Sequence, residues 1–321
     1  MNEVVKRPES LINGRYVIGT PAGTFEEKPR IAQQPGKMSH RSDWSADISH
    51  VGDMLVMSAS IRGAMHYGLR TIRQDSYAIG VEIDSNDNTW LIAAITDGVS
   101  SATQSHTFAD YMARQTVTLV GEELISTNPK TLHNIEWSKI SRCLVEISEE
   151  FCRNAAKRTV SEDKTDEIEK ASLKDFINKW ATTLEFAVIQ ANSKEQVTKR
   201  EYVHVAVAGD GAAYILSKIK GWEVIKTAKK QTGAIATNAV LSLPLSPNDF
   251  VINFGYLRKN DCFILTTDGL GDFIDDGKTA LGDFFQRKLP KCESLVSFLQ
   301  IVDVSLYQAD DDRTIIMIKG T

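Results

Sequence analysis

The sequence predicts an α+β fold in which two packed antiparallel sheets are flanked by helices. β-like patterns fall into two groups, one between residues 54 and 96 and one from residue 183 onward. Two long helical patterns separate the groups, with apolar residues at helical spacing. Strands and helices do not alternate one by one, as βαβ units require, and no internal repeat is present. Two sheets packed face to face with helices outside bury both faces of such strands.

Each element follows from local pattern. Met54–Ile61, Ser76–Ile83 and Thr89–Thr96 are β-like, with Asp84-Ser85-Asn86-Asp87-Asn88 as a polar hairpin loop. A helix is predicted from about Ala102 to Ile125, because Ala109, Met112, Thr116, Val120 and Leu124 share one face. A second runs from about Glu136 to Ala156, with Ile140, Leu144, Ile147 and Phe151 on one side. The charged stretch Thr159–Lys170 reads as a loop or solvated helix end. Strands are predicted at Thr183–Ile189, Tyr202–Ala208, Ala212–Leu216, Trp222–Ile225 and Cys262–Thr267. Helical patterns follow at Ala280–Lys288 and Ser294–Gln300, and Arg313–Lys319 closes the chain as a strand.

Composition bounds the function classes. The 321 residues are 42% hydrophobic and 25% charged, with a formal net charge of -5, an ordinary globular balance. An acidic chain with only short basic clusters, such as Lys226–Lys230, carries no footprint for nucleic acid. Cys143, Cys152, Cys262 and Cys292 are not at C-x-x-C spacing, so no structural zinc site is expected. The start lacks an apolar signal core and no apolar run reaches membrane-spanning length, so the expectation is a cytoplasmic protein with reduced thiols. Residues 1–52 hold Pro8, Pro21, Pro29 and Pro35, half of the eight prolines, and read as an N-terminal extension that is partly ordered or wraps the core, with Arg15–Gly19 as one short strand. Residues 53–321 form the main domain.

Chemistry is concentrated in acidic residues at strand ends. Asp97, Asp210 and Asp268 each follow an apolar run and precede glycine, and Asp311 sits in an acidic cluster before the last strand. Asp-Gly after a strand is by itself an ordinary turn signal. The set differs because Asp268-Gly269-Leu270-Gly271 leads into an aromatic rather than a second strand, and because like charges beside a strand are unfavourable. Carboxylates meeting at one sheet rim make a hard oxygen site for Mg²⁺ or Mn²⁺. Two like charges ~4 Å apart repel by about 1 kcal/mol in water and about 4 kcal/mol at an effective dielectric of 20. Such a cluster therefore binds protons or metal.

In order, these motifs resemble the metal-dependent serine/threonine protein phosphatases of type 2C, over most of the chain. The signatures are Arg70-Thr71-Ile72-Arg73-Gln74-Asp75, Asp97-Gly98, Ala181-Thr182-Thr183, Gly209-Asp210-Gly211, Thr267-Asp268-Gly269-Leu270 and Asp311-Asp312-Arg313-Thr314. The turn Asp97–Ala102 is most similar to that of a bacterial subgroup. The resemblance implies a four-layer αββα sandwich, two antiparallel sheets with a helix pair on each outer face. It implies hydrolysis of phosphoserine and phosphothreonine in proteins by a metal-bridged hydroxide, with no covalent intermediate. It assigns two Mg²⁺ or Mn²⁺ ions to Asp97, the Gly98 carbonyl, Asp268 and Asp311, and a third, weaker ion to Asp210. Arg70 is the expected phosphate ligand, with Arg73 as the other candidate. Gln74 and Asp75 are expected to orient metal-bound waters. A phosphorylated protein is the implied partner, with a serine/threonine kinase opposing it.

The chain departs from the family at four places. Ser100-Ser101 replaces Gly-Gly, Ala181 replaces Gly, Gln74 replaces a carboxylate, and Val99 stands where eukaryotic relatives carry a histidine. His66 and His106 are the histidines that could approach the site, against a structural role for each. The departures keep open a second reading, a catalytically impaired member that serves as a binding or regulatory module. A metal-dependent nuclease fits the carboxylates but lacks a basic groove.

Overall fold

The computed structural model describes residues 9–12, 15–18, 41–161, 164–192, 198–227, 241–245, 250–306 and 310–320. Its strands are β1 Glu9–Ile12, β2 Arg15–Ile18, β3 Trp44–Val51, β4 Met54–Ile61, β5 Ser76–Ile83, β6 Thr89–Thr96, β7 Leu184–Asn192, β8 Lys199–Ala208, β9 Ala212–Ser217, β10 Gly221–Lys226, β11 Val251–Arg258, β12 Cys262–Thr266, β13 Ser305–Leu306 and β14 Arg313–Gly320. Its α-helices are α1 Ala64–Leu69, α2 Ser105–Thr127, α3 Trp137–Lys157, α4 Thr165–Lys170, α5 Asp268–Ile274, α6 Ala280–Lys288 and α7 Leu295–Val302.

Two large antiparallel sheets stack on one another. One has the order β10-β9-β12-β14-β4-β3 and the other β11-β8-β7-β6-β5. Three apolar layers hold the stack. Leu91, Ala93, Ile189, Phe263, Ile316 and Ile318 fill the space between the sheets. Trp90, Ile92, Phe186 and Val205 project from the other face of their sheet onto Phe108, Met112, Leu144 and Cys152 of α2 and α3. Tyr214, Ile264 and Met317 meet Leu270, Phe284, Phe285 and Phe298 of α5, α6 and α7. Odd and even positions of each central strand thus face different layers, which is why these strands are apolar throughout. This is the expected αββα sandwich.

The hairpin loop after β5 is held by one side chain. The Asp84 carboxylate accepts from the amides of Asn86 at 2.9 Å and Asn88 at 3.0 Å, and from the Trp90 indole at 2.9 Å. Burial works against its charge, but the Asn88 and Trp90 donors outweigh it and hold the Asp84 carboxyl below its ordinary value.

The last part of the 1–52 extension, Trp44–Val51, is a regular strand paired with β4 at the sheet edge. Arg15–Ile18 is a strand as expected, paired with Glu9–Ile12 and, in parallel, with Ser305–Leu306. Tyr16 rests on Phe284 of α6 with ring centroids 5.0 Å apart. Pro8, Pro21, Pro29 and Pro35 lie outside the described residues. Strand β11 and the short helices α1 and α5 are further elements that pattern alone does not reveal. No helix among the described residues is long and apolar enough to cross a membrane.

Candidate active site

Five of the acidic residues sit where strands end. Asp97 follows β6, Asp268 opens α5 directly after β12, Asp311 precedes β14, Asp75 precedes β5, and Asp210 lies in the crossover from β8 to β9. Because β12, β14 and β4 are neighbours in one sheet and β6 and β5 in the other, four of these positions meet at one rim. Asp97 stands within electrostatic reach of Asp75, Asp268 and Asp311, and it shares a hydrogen bond with Asp75.

The backbone around each carboxylate is fixed. The Asp97 amide donates to Thr183 Oγ1 at 2.8 Å, and its carbonyl accepts from the Thr183 amide at 2.8 Å and from Thr182 Oγ1 at 2.9 Å. Asp75 Oδ2 accepts from Thr267 Oγ1 at 2.8 Å and from Thr314 Oγ1 at 2.9 Å. Gly269 comes so close to the chain of Asp312 that an added Cβ would lie 1.9 Å from the Asp312 carbonyl oxygen. Only glycine fits there, and the close approach brings Asp268 beside Asp311.

Asp312 is the hub beneath the site. Its carboxylate accepts from the Gly63 amide at 2.7 Å, the Gln74 amide at 2.5 Å and His66 Nδ1 at 2.8 Å, with the Asp75 amide at 3.4 Å. Asp312 and His66 are both buried. Burial works against each charge. For Asp312 the His66 hydrogen bond and the two amides prevail and lower the carboxyl; for His66 the Asp312 bond prevails and raises the imidazole. His66 is thus committed to Asp312, while Asp312 ties the loop Gln74–Asp75 to the start of β14.

The remaining carboxylates resist ionisation. Burial and the charges of Asp312 and Asp311 push Asp75 up to about 8. Burial, then Asp75, Asp268 and Asp311, raise Asp97 well above the ordinary range. Burial, Asp312 and Asp268 push Asp311 up to about 6. Among the described residues no group of three His, Cys, Asp or Glu side chains closes around one point as a finished cage. The donor set nonetheless suits Mg²⁺ or Mn²⁺, which retain waters and need few carboxylates. Gln74 Oε1 is buried without a hydrogen-bond partner among the described residues, as an acceptor for a bound water would be.

The arginines divide. Arg73 is buried, donates to the carbonyls of Ser42 at 3.4 Å and Asp75 at 3.3 Å, and is lowered to about 10 by burial and by Arg41. Arg73 therefore holds the loop. Arg70 is exposed with φ 55°, closes α1, and forms no ion pair among the described residues. Arg41, inside the N-terminal extension, donates to the Arg73 carbonyl at 3.0 Å and to Ser76 Oγ at 3.1 Å. Burial, then Arg41, lowers His106 to about 4, so its ring is neutral.

Asp210 belongs to the turn Gly209–Gly211. An added Cβ on Gly209 would lie 2.3 Å from Thr183 Cβ, and one on Gly211 would lie 3.0 Å from the Thr266 carbonyl oxygen. The turn therefore rests on the residues that fix Asp97 and precede Asp268. The departures from the family are accommodated. Neither Ser100 nor Ser101 has positive φ, and the Ala181 carbonyl accepts from the Val99 amide at 3.0 Å. Sequence reasoning missed Asp312 as hub, Arg41 and the threonine supports; only the position of Thr182, Thr183, Thr267 and Thr314 inside the site motifs hints at the last.

The four-layer sandwich thus gathers acidic side chains from both sheets at one rim. Over residues 62–300 the chain matches the family described as protein phosphatase 2C. The chain belongs to that family, whose members are protein serine/threonine phosphatases. Among solved structures it is similar to a bacterial serine phosphatase carrying an arginine-to-lysine substitution, with TM-score 0.51 and 16% identity, covering 83% of this chain and 98% of that one. It is also similar to the S. agalactiae serine/threonine phosphatase, with TM-score 0.50 and 13% identity, covering 87% of this chain and 100% of that one. At these identities the likeness is one of fold. Comparison with curated proteins finds no match.

Proposed function

We propose that this chain removes phosphate from phosphoserine and phosphothreonine in proteins, using two Mg²⁺ or Mn²⁺ ions held by Asp97, Asp268, Asp311 and the Gly98 carbonyl, with Asp210 serving a third. The observation that carries the reading is the convergence of Asp75, Asp97, Asp268 and Asp311 from both sheets at one rim. A buried cluster of like charges is unfavourable unless protons or cations neutralise it. Bound divalent ions would supply Lewis acidity and a water of near-neutral pKa.

The chain's own residues do the positioning. Thr182 and Thr183 fix the Asp97 backbone through three hydrogen bonds, so the side chain that would hold metal springs from a preorganised position. Gln74 Oε1 and Asp75 orient waters. Arg70, exposed at the end of α1, takes two phosphoryl oxygens in a fork that matches its guanidinium. A serine/threonine kinase is the class of reaction that must supply this substrate. The alternative, a binding role motivated by Ser100-Ser101 and Ala181, is less favoured because none of the three residues needs the left-handed backbone that glycine would supply.

The test is hydrolysis of p-nitrophenyl phosphate and of a phosphothreonine peptide with Mn²⁺, in the wild type and in Asp97→Asn. Turnover that needs Mn²⁺ and vanishes in the variant is expected. Turnover that survives excess chelator overturns the proposal.

A further inference from the structure

A second buried charge cluster lies beside the Asp210 turn. Glu185 of β7 and His204 of β8 are both buried, at 1% and 0% exposure. Glu185 Oε2 accepts from His204 Nε2 at 2.9 Å, and His204 Nδ1 accepts from the Asn253 amide nitrogen at 3.3 Å. With Asn253 donating to Nδ1, the Nε2 proton points to Glu185. Glu185 Oε1 accepts from Lys226 Nζ at 2.6 Å. The same ammonium donates to the Gly211 carbonyl at 2.5 Å and reaches the Gly209 carbonyl at 3.5 Å. Three protons on Lys226 thus meet three acceptors. Burial works against the Glu185 charge, but Lys226 and His204 outweigh it and hold the carboxyl below its ordinary value.

The geometry is built for this contact. Lys226 is on β10, the edge of one sheet, and Glu185 is in the interior of the other. Regular alternation would put Lys226 on the same side as Val224. Instead the β10–β9 register shifts between Val224 and Lys226, so that Lys226 pairs with Ala213, a residue of the layer between the sheets. The bulge re-aims the lysine inward. Gly211 must be glycine for the same reason, since an added Cβ would lie 2.7 Å from Glu185 Oε1.

We propose that Lys226 is a positioning residue: its cross-sheet clamp to Glu185 fixes the crossover turn Gly209–Gly211 and thereby sets the affinity of Asp210 for its divalent ion. The inference rests on the proposed phosphatase reading, which gives Asp210 that ion. Lys226 grips the carbonyls on both sides of Asp210, so the direction of the Asp210 side chain is fixed by the clamp. The competing role is protection of an exposed sheet edge by an inward charge, which affects stability alone.

Calorimetric titration of the full chain with Mn²⁺ separates the two roles. Lys226→Met, Lys226→Arg, Glu185→Gln, Asp210→Asn and the double variant Lys226→Met/Asp210→Asn are compared with wild type. In Lys226→Met the tight binding steps should stay as in wild type, and the weakest step should lose about 10-fold or more, the scale of lost outer-shell support. Asp210→Asn should lose the same step, and the double variant should be no worse than Asp210→Asn alone. Lys226→Arg should recover part of the loss. Amide exchange at Gly211 should quicken in Lys226→Met. If Lys226→Met does not fold, Glu185→Gln, which preserves shape, gives the same readout. Variants that melt earlier but bind every Mn²⁺ ion as wild type does overturn the clamp. A wild type that binds no Mn²⁺ overturns the functional reading itself, and the clamp's role with it; loss of the weak step in Asp210→Asn but not in Lys226→Met refutes the clamp alone.

Discussion

Replacing Asp97 with asparagine should stabilise the metal-free protein while abolishing its activity. Asp97 faces Asp75, Asp268 and Asp311. A like-charge pair ~4 Å apart costs about 1 kcal/mol in water and about 4 kcal/mol at an effective dielectric of 20. Asp75, pushed up to about 8, carries little charge at neutral pH, so one of the three repulsions is already relieved. Asp97 is itself raised well above the ordinary carboxylate range, so the other two repulsions are relieved by the substitution only as pH rises to where its carboxyl must ionise, and there the gain is about 2 kcal/mol, toward the low end of that scale. For a chain of this size that raises Tm by ~4 °C. The gain should grow with pH. The carboxyls of Asp75 and Asp311 are raised in the folded state, to about 8 and about 6. These two carboxyls therefore hold more protons in the folded protein than in the unfolded chain above about pH 4, and the stability they contribute falls as pH rises through those values. The assay is thermal unfolding in chelator at pH 5 and pH 8, paired with Mn²⁺-dependent hydrolysis, which should drop by at least about 10³-fold, several kcal/mol of barrier. A variant no more stable than wild type at pH 8, or one still active, refutes the electrostatic argument.

Other outcomes follow from the same contacts. Dialysis against chelator should remove all phosphatase activity, and Mn²⁺ or Mg²⁺ should restore it and raise Tm, because ligand binding to the folded state alone is stabilising. Asp84→Ala should cost about 2–4 kcal/mol in urea unfolding, since it strands the buried Trp90 indole and two amides, with kcat unchanged. Because the Asp84 carboxyl is lowered in the fold, that difference should be full above about pH 4 and shrink as pH falls through the folded value. Asp312→Ala should destabilise by about 3–5 kcal/mol, as it leaves His66 and the amides of Gly63 and Gln74 buried without their acceptor, and Asp312→Asn should recover part of that loss.

The bodies of Met54–Ile61 and Thr89–Thr96 were legible because burial on both faces writes a continuous apolar run. Met54–Ile61, Ser76–Ile83 and Thr89–Thr96 have the predicted bounds, as does the helix Ala280–Lys288. Strand β11 was hidden by Asn253 and Gly255. An added Cβ on Gly255 would lie 2.4 Å from the Tyr202 hydroxyl, so the glycine answers a neighbour on β8 and not a local turn. Strand β3 is half-exposed at a sheet edge and lacks apolar density. Helix α1 spans only six residues, too short to show a period.

Local chemistry alone determined where the chain turns and which carboxylates end its strands: the apolar run, the Asp-Gly that stops it and the motif order are all properties of neighbouring residues. Only tertiary structure decided what those carboxylates meet. Asp312 binds the Gln74 amide across 238 residues, and Lys226 finds Glu185 only through a bulge between two sheets. Charge repulsion and hydrogen-bond satisfaction act through space, so they become visible when the sheets stack and bring distant loops to one rim.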